Sequence, residues 1–214
     1  MKRLIEGIHT FQSGVFGQQR ELFESLAAGQ SPSALFITCS DSRVVPSLMT
    51  QTGPGDLFML RNAGNLVPPY GPTPGAEAAA IEYAVESLKV KDIIVCGHTR
   101  CGAMSALLDP ASLERLPATR QWLIHAEATR RLVDDHYATA PETERLEACV
   151  EENVLVQIDN LRTHPSALAA LARGQLKLHA WVYEIETGQV MTFDQTSGQY
   201  QPLADTARPD SAQA

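Results

Sequence analysis

The chain is 214 residues long, 44% hydrophobic and 20% charged, a composition that suits one globular domain with a full core. Its net charge of −8 argues against nucleic acid or an anionic membrane as partner, because both need a basic face. No apolar run reaches transmembrane length, and Glu6, His9, Gln12 and Ser13 interrupt any signal-peptide core behind Lys2 and Arg3, so a cytoplasmic protein is expected.

In chain order, residues 1–28 read as a helical arm, with Leu4, Ile5, Ile8, Phe11, Leu22 and Phe23 among its apolar positions and Gly14 and Gly17 as expected breaks. The arm has little local sheet to bury against and is expected to pack on a neighbouring subunit. Residues 29–200 form the main α/β domain. Ala34–Thr38 reads as a short buried strand, Pro46–Thr50 as a short helix, and Asp56–Leu60 as a second strand. The Gly- and Pro-rich stretch 61–74 is a long loop of the kind that is usually functional. Pro74–Leu88 carries Ala78, Ile81, Ala84, Val85 and Leu88 on one helical stripe and leads into a strand at Asp92–Cys96, a βαβ unit. Helices follow from Cys101 to about Leu108, over 119–137 and over 143–163; Ser166 is expected to cap another, ending at Arg173. Leu176–Ile185 reads as a strand that Thr187 and Gly188 turn back into Val190–Phe193, its antiparallel partner. The fold class is therefore α/β: a central parallel sheet extended by an antiparallel C-terminal strand and flanked by helices. Residues 201–214 are polar and rich in Ala and Pro, and read as a disordered tail.

The chemistry concentrates at two strand ends. Ala34–Thr38 runs into Cys39-Ser-Asp41-Ser-Arg43, and Asp92–Cys96 runs into Gly97-His98-Thr-Arg-Cys101-Gly102. In an open α/β sheet, ligand crevices lie outside the carboxyl ends of the strands. If these strands are parallel neighbours, Cys39, His98 and Cys101 converge there. Two thiolates and one imidazole are a zinc-type ligand set that leaves a fourth position open. Asp41, two residues after a ligand, lies within reach of that position, and Arg43 is placed to hold it as a bidentate pair. Other readings are plain buried thiols with a capping imidazole, a surface Asp–Arg pair, or Cys39 as a nucleophile activated by His98, which leaves Cys101 without a role. Cys96 and Cys149 read as buried thiols, and four cysteines are too few for a disulfide framework. His9, His125, His136, His164 and His179 are ordinary core or surface histidines on this reading.

The paired motifs, together with Arg61-Asn-Ala-Gly-Asn-Leu-Val-Pro-Pro-Tyr70, Ala80-Ile-Glu-Tyr-Ala84 and His179-Ala-Trp-Val-Tyr183, resemble the β-class carbonic anhydrases over most of the chain. The resemblance implies zinc-dependent, reversible hydration of carbon dioxide to bicarbonate and a proton, by attack of zinc-bound hydroxide in an apolar pocket. It implies one zinc per chain on Cys39, His98 and Cys101, with Asp41 and Arg43 as a catalytic dyad. It also implies substrate contacts from Gln30, Phe58, Ala63, Tyr83 and the Gly102 N–H, with Gln30 reaching across a dimer interface. A homodimer or a dimer of dimers is expected. In the branch inhibited by a non-catalytic bicarbonate, a Trp, an Arg and a Tyr form the inhibitory site; here Arg61 and Tyr183 match, but Phe36 replaces the Trp, which favours the plant-like branch. Two rivals share the metal set: a carbon disulfide or carbonyl sulfide hydrolase on the same fold, and a structural zinc protein. The second gives no role to Asp41, Arg43 and an apolar pocket.

Overall fold

The structure, a computed structural model, describes residues 1–203. The arm begins with α1 (Lys2–Thr10), which continues through a π turn (Phe11–Val15) and one further turn (Phe16–Gln18) before α2 (Arg20–Ala27). Gly14 and Gly17 do not break it. A lone glycine only weakens a helix, and the chain instead bends at Gln19, whose φ of −114° and ψ of 22° leave the helical region. The bend stacks Phe16 on Phe23 (centroids 5.2 Å apart) and sets Phe11 edge-on to Phe23 at 5.7 Å. No residue of α1 or α2 is buried, and Leu4, Ile5 and Ile8 stay exposed along one side.

The domain proper contains β1 (Ala34–Cys39), α3 (Pro46–Thr50), β2 (Leu57–Asn62), α4 (Ala76–Glu82, running into a π turn at Tyr83–Ser87), β3 (Asp92–His98) and α5 (Gly102–Leu108). Then come α6 (Pro117–Leu123), α7 (Glu127–His136), α8 (Glu142–Leu161), α9 (Pro165–Ala172), β4 (Lys177–Tyr183), β5 (Val190–Asp194) and β6 (Gln199–Pro202). The sheet order is β2-β1-β3-β4-β5-β6, with the first four strands parallel and β5 and β6 antiparallel. This is the expected α/β class.

Alternation along β1 and β3 divides the core between the two faces. Leu35, Ile37, Ile93 and Val95 join the large cluster beneath α4, α8 and α9. Phe36, Ile94 and Cys96 form a smaller one with Met49 of α3, Trp181 and Tyr183. Gly97 lets α8 approach β3: a Cβ there would lie 2.8 Å from Val154 and 3.1 Å from Val150.

Several expected boundaries move. The 119–137 helix divides at a 3₁₀ turn (Ile124–Ala126). The α9 helix starts at Pro165 behind His164 without the expected Ser166 side-chain cap, since a proline at the first helical position needs no partner for a missing N–H. The sequence reading has no counterpart of β6, whose short polar Gln199–Pro202 carries little strand signal and pairs through register with β5. Residues 201 and 202 are therefore strand rather than tail; residues 204–214 lie outside the described residues.

Candidate active site

From β1 the chain passes to β2 on one side, and from β2 it crosses to β3 on the other. The carboxyl ends of β1 and β3 therefore flank a topological switch point, where neighbouring loops diverge and leave a crevice. Cys39 is the last residue of β1 and His98 the last of β3, and Cys101 sits at the N-cap of α5. Their ligand atoms all lie within 4.8 Å of one another, and all three residues are buried. The turn joining His98 to Cys101 holds Arg100 at φ 54°, a left-handed conformation that costs a non-glycine residue about 1 kcal/mol or more.

The imidazole of His98 is oriented from behind. Its Nδ1 lies 2.9 Å from the Thr99 carbonyl, and since a carbonyl only accepts, Nδ1 carries the proton. Nε2 is left as a bare acceptor, buried and without a hydrogen-bond partner. Such an orphan is costly unless something binds it, and beside two thiols the natural occupant is a thiophilic cation. Without one, the thiols share a proton. Cys39 is pulled well below the ordinary thiol range, first by the hydrogen bond from Cys101 and, against burial, by the Gly64 N–H (3.4 Å from Sγ). Cys101 is pushed up by that same hydrogen bond and by burial. The donor set fits zinc. Cys96 and Cys149 sit apart, and burial pushes each up to about 12.

Asp41 and Arg43 form a tight pair beside this cluster. Arg43 donates from Nε to Oδ1 (3.0 Å), from Nη2 to Oδ2 (2.7 Å) and from its backbone N–H to Oδ1 (2.9 Å). The side-chain hydrogen bond from Arg43 is the main reason the Asp41 carboxyl is held well below the usual carboxylate range. Oδ2 also lies 3.8 Å from His98 Nε2, so the carboxylate faces the point on which the three ligands converge. Arg61, which ends up in β2 because that strand runs to Asn62, clamps the loop from below. It donates to the Cys39 carbonyl (3.1 and 2.9 Å) and to the Asp41 carbonyl (2.8 Å). Phe36 packs edge-on to Trp181, with centroids 6.1 Å apart.

Sequence reading misses the polar residues that fasten the loop after β2. Asn153 of α8 donates to the Gly64 carbonyl (3.0 Å), and Asn160 donates to that of Val67 (2.9 Å). Gln157 accepts from the Val67 N–H (2.8 Å), and His164 bonds the Pro68 carbonyl at 3.0 Å. Trp122 Nε1–H donates to the Ala63 carbonyl at 2.8 Å. The spacing 153, 157, 160 keeps three of these side chains on one face of α8, and His164 follows at the N-cap of α9, so a helix that otherwise packs as core carries a ladder for loop backbone. The available signal is polar residues at buried stripe positions next to Val154, Ile158 and Leu161; it points to buried partners without saying which.

The residues expected around a substrate fall into two groups. Ala63, in the turn that closes β2, and Gly102, the first residue of α5, lie at the carboxyl edge with Cys39. Phe58 pairs in register with Leu35, four residues or about 13 Å back along the sheet. Tyr83 packs against it with ring centroids 5.9 Å apart, and Gln30 precedes β1 in an exposed loop beside Gly55 and Asp56. Within one chain, Gln30, Phe58 and Tyr83 are not brought to the cysteine–histidine cluster.

A mixed α/β sheet with a buried two-thiol, one-imidazole centre at its switch point, flanked by a carboxylate–guanidinium pair, defines a metal-centred α/β protein. A family profile described as carbonic anhydrase matches residues 34–190. The carbonic anhydrase of Pseudomonas aeruginosa is 51% identical over 205 residues, spanning 96% of this chain and 93% of that one. The solved β-carbonic anhydrase CcaA aligns with a TM-score of 0.92 at 50% identity, over 95% of this chain and 99% of that one. A tetrameric β-carbonic anhydrase from Sordaria macrospora gives 0.80 at 31% identity, over 94% and 98%. The chain belongs to the carbonic anhydrase family, in its β class.

Proposed function

We propose that this chain catalyses the zinc-dependent, reversible hydration of carbon dioxide to bicarbonate and a proton (carbonate dehydratase, EC 4.2.1.1), one zinc being held by Cys39, His98 and Cys101 of each chain. The observation that carries the reading is the buried, unpartnered Nε2 of His98, aimed among two thiols with the Asp41 carboxylate 3.8 Å away. When bound, zinc supplies the Lewis acidity that makes water a competent nucleophile. With zinc held there, Asp41, whose Oδ2 faces the point on which the ligands converge, would be the acceptor that orients the nucleophile toward the substrate carbon. Arg43 keeps Asp41 ionised and withholds it from the metal, so the pair acts as a gate. A structural site needs neither residue.

The substrate is small, apolar and uncharged, and its product is an anion. Ala63 offers an apolar wall and the Gly102 N–H a donor for the developing negative oxygen. Gln30, Phe58 and Tyr83 complete the slot from a second copy, because they lie too far along the sheet to serve their own centre. Homo-oligomerisation is supported by the arm, whose Leu4 (65% exposed), Ile5 and Ile8 find no cover in one chain, and by Leu48 (67%), Met59 and Tyr83 near the open β2 edge. Four buried free thiols suit a reducing compartment, which supports the cytoplasm; no helix among the described residues is long and apolar enough to cross a membrane.

Stopped-flow hydration with a pH indicator, run beside hydrogen sulfide release from carbon disulfide and carbonyl sulfide, tests the reaction. Fast hydration with negligible sulfide release, one zinc per chain, and loss of zinc in Cys101→Ser are expected. Sulfide release outpacing hydration would transfer the chain to the hydrolase reading. Stoichiometric zinc in a Cys39→Ser, Cys101→Ser variant would remove the ligand assignment.

A further inference from the structure

The Asp41–Arg43 gate has a support outside the family motifs, on the loop between β4 and β5. Arg43 Nη2 is shared between Asp41 Oδ2 and the backbone carbonyl of Arg100, 3.1 Å away, so that carbonyl helps to aim the guanidinium. One peptide earlier, the Thr99 carbonyl accepts from His98 Nδ1 and sets the tautomer of the ligand. Two consecutive carbonyls of one turn thus serve the ligand and the gate. The turn is not self-sufficient, because Arg100 is held at φ 54°.

What holds the turn is Glu186. Its Oε2 accepts from Thr99 Oγ1 (2.7 Å), and its Oε1 pairs with Arg100 Nε. Thr99 Oγ1 in turn accepts from the Ile185 N–H (3.0 Å), and the Thr99 N–H donates to the Tyr183 carbonyl (3.0 Å). One carboxylate therefore grips both residues between His98 and Cys101. We infer that Glu186 is a positioning residue of the catalytic centre: through Thr99 and Arg100 it holds the carbonyl that orients His98 and the carbonyl that anchors Arg43, and so biases the gate toward the Arg43-paired position of Asp41. The inference rests on Cys39, His98 and Cys101 holding zinc.

The Arg100–Glu186 pair is exposed (side chains 72% and 41%), and exposed ion pairs contribute little to global stability. Positioning can therefore be separated from folding. Glu186→Ala is expected to move the melting temperature by no more than about 3 °C. It should speed zinc release to a chromophoric chelator about tenfold or more, the usual scale for groups that orient a metal ligand. Measured with zinc in excess, its fractional loss of kcat should be smaller in an Arg43→Ala background, because the Arg100 carbonyl then has no guanidinium to anchor and only the path through His98 remains. Glu186→Gln keeps an acceptor for Thr99 but not the ion pair and should fall between; it carries the test if Glu186→Ala does not fold. Zinc release at the wild-type rate in a folded variant, or kcat losses that multiply with that of Arg43→Ala, would overturn the inference. A wild-type protein that binds no zinc would instead overturn the reading of the centre.

Discussion

Replacing Gln157 with Met tests whether α8 holds the loop as its contacts imply. Gln157 is fully buried and makes three hydrogen bonds: it accepts from the Val67 N–H (2.8 Å) and Asn160 Nδ2 (3.2 Å), and donates to Asn153 Oδ1 (3.0 Å). Methionine has nearly the same length and removes all three. Asn160 keeps the Val67 carbonyl, and Asn153 Oδ1 keeps a long contact of 3.4 Å from Thr129. The Val67 N–H keeps nothing, and an orphaned buried donor costs about 1–3 kcal/mol. The weakened Asn153 acceptor adds about 1 kcal/mol, and burying a thioether in place of an amide returns a similar amount. The net is about 2 kcal/mol, which in a chain of this size lowers the melting temperature by about 4–8 °C. Calorimetry of the zinc-loaded protein at one fixed concentration measures this, and hydrogen exchange at the Val67 amide reports the local event. kcat/KM should fall too, because the freed loop carries Ala63 and the Gly64 N–H that supports Cys39. A melting temperature within about 1 °C of wild type, with Val67 exchange unchanged, would refute the reasoning.

Three further outcomes are expected. Gly97→Ala should destabilise by about 1–3 kcal/mol in chemical unfolding, since its Cβ would meet Val154 at 2.8 Å on a helix and a strand that cannot both move; no change would mean that α8 gives way freely. The hydration rate should rise through the alkaline range, because two thiolates and Asp41 oppose ionisation of the metal's water; Arg43→Ala should lose most activity while retaining zinc, and Asp41→Asn should retain zinc but react slowly. A flat wild-type pH profile or a fast Arg43→Ala enzyme would refute the gate. Burial depresses the pKa of His164 below its unfolded value of 6.5, so the unfolded chain binds the extra proton first. The stability this residue contributes is complete above that value and is lost as pH falls through it toward the folded pKa. Unfolding midpoints at neutral and mildly acidic pH should show that slope in wild type and a shallower one in His164→Asn.

The local chemistry of the strands was legible without coordinates. The apolar runs before Cys39 and at 92–96, each ending abruptly in metal-ligating residues, announced parallel strands with a site at their carboxyl ends, and α/β folds place crevices there. Both runs end in their ligands at the carboxyl end of the strand, so once the strands are parallel neighbours Cys39 and His98 meet at one edge without an exact register being known. What required the tertiary structure was whatever depends on partners distant in sequence. Gln157 and Asn153 look like weak points in an apolar helix until the Gly64 and Val67 backbone stands opposite them. Glu186 looks like a turn residue until the turn closes on Thr99 and Arg100. β6 has no pattern of its own and exists because β5 offers an edge. The separation of Phe58 and Tyr83 from Ala63 and Gly102 is likewise a matter of distance along the sheet, which a list of motifs does not contain. Residue type and spacing determined what chemistry this chain can perform; which groups hold that chemistry in place was decided by hydrogen-bond satisfaction in the folded chain, where each buried donor and acceptor must find a partner wherever the topology brings one.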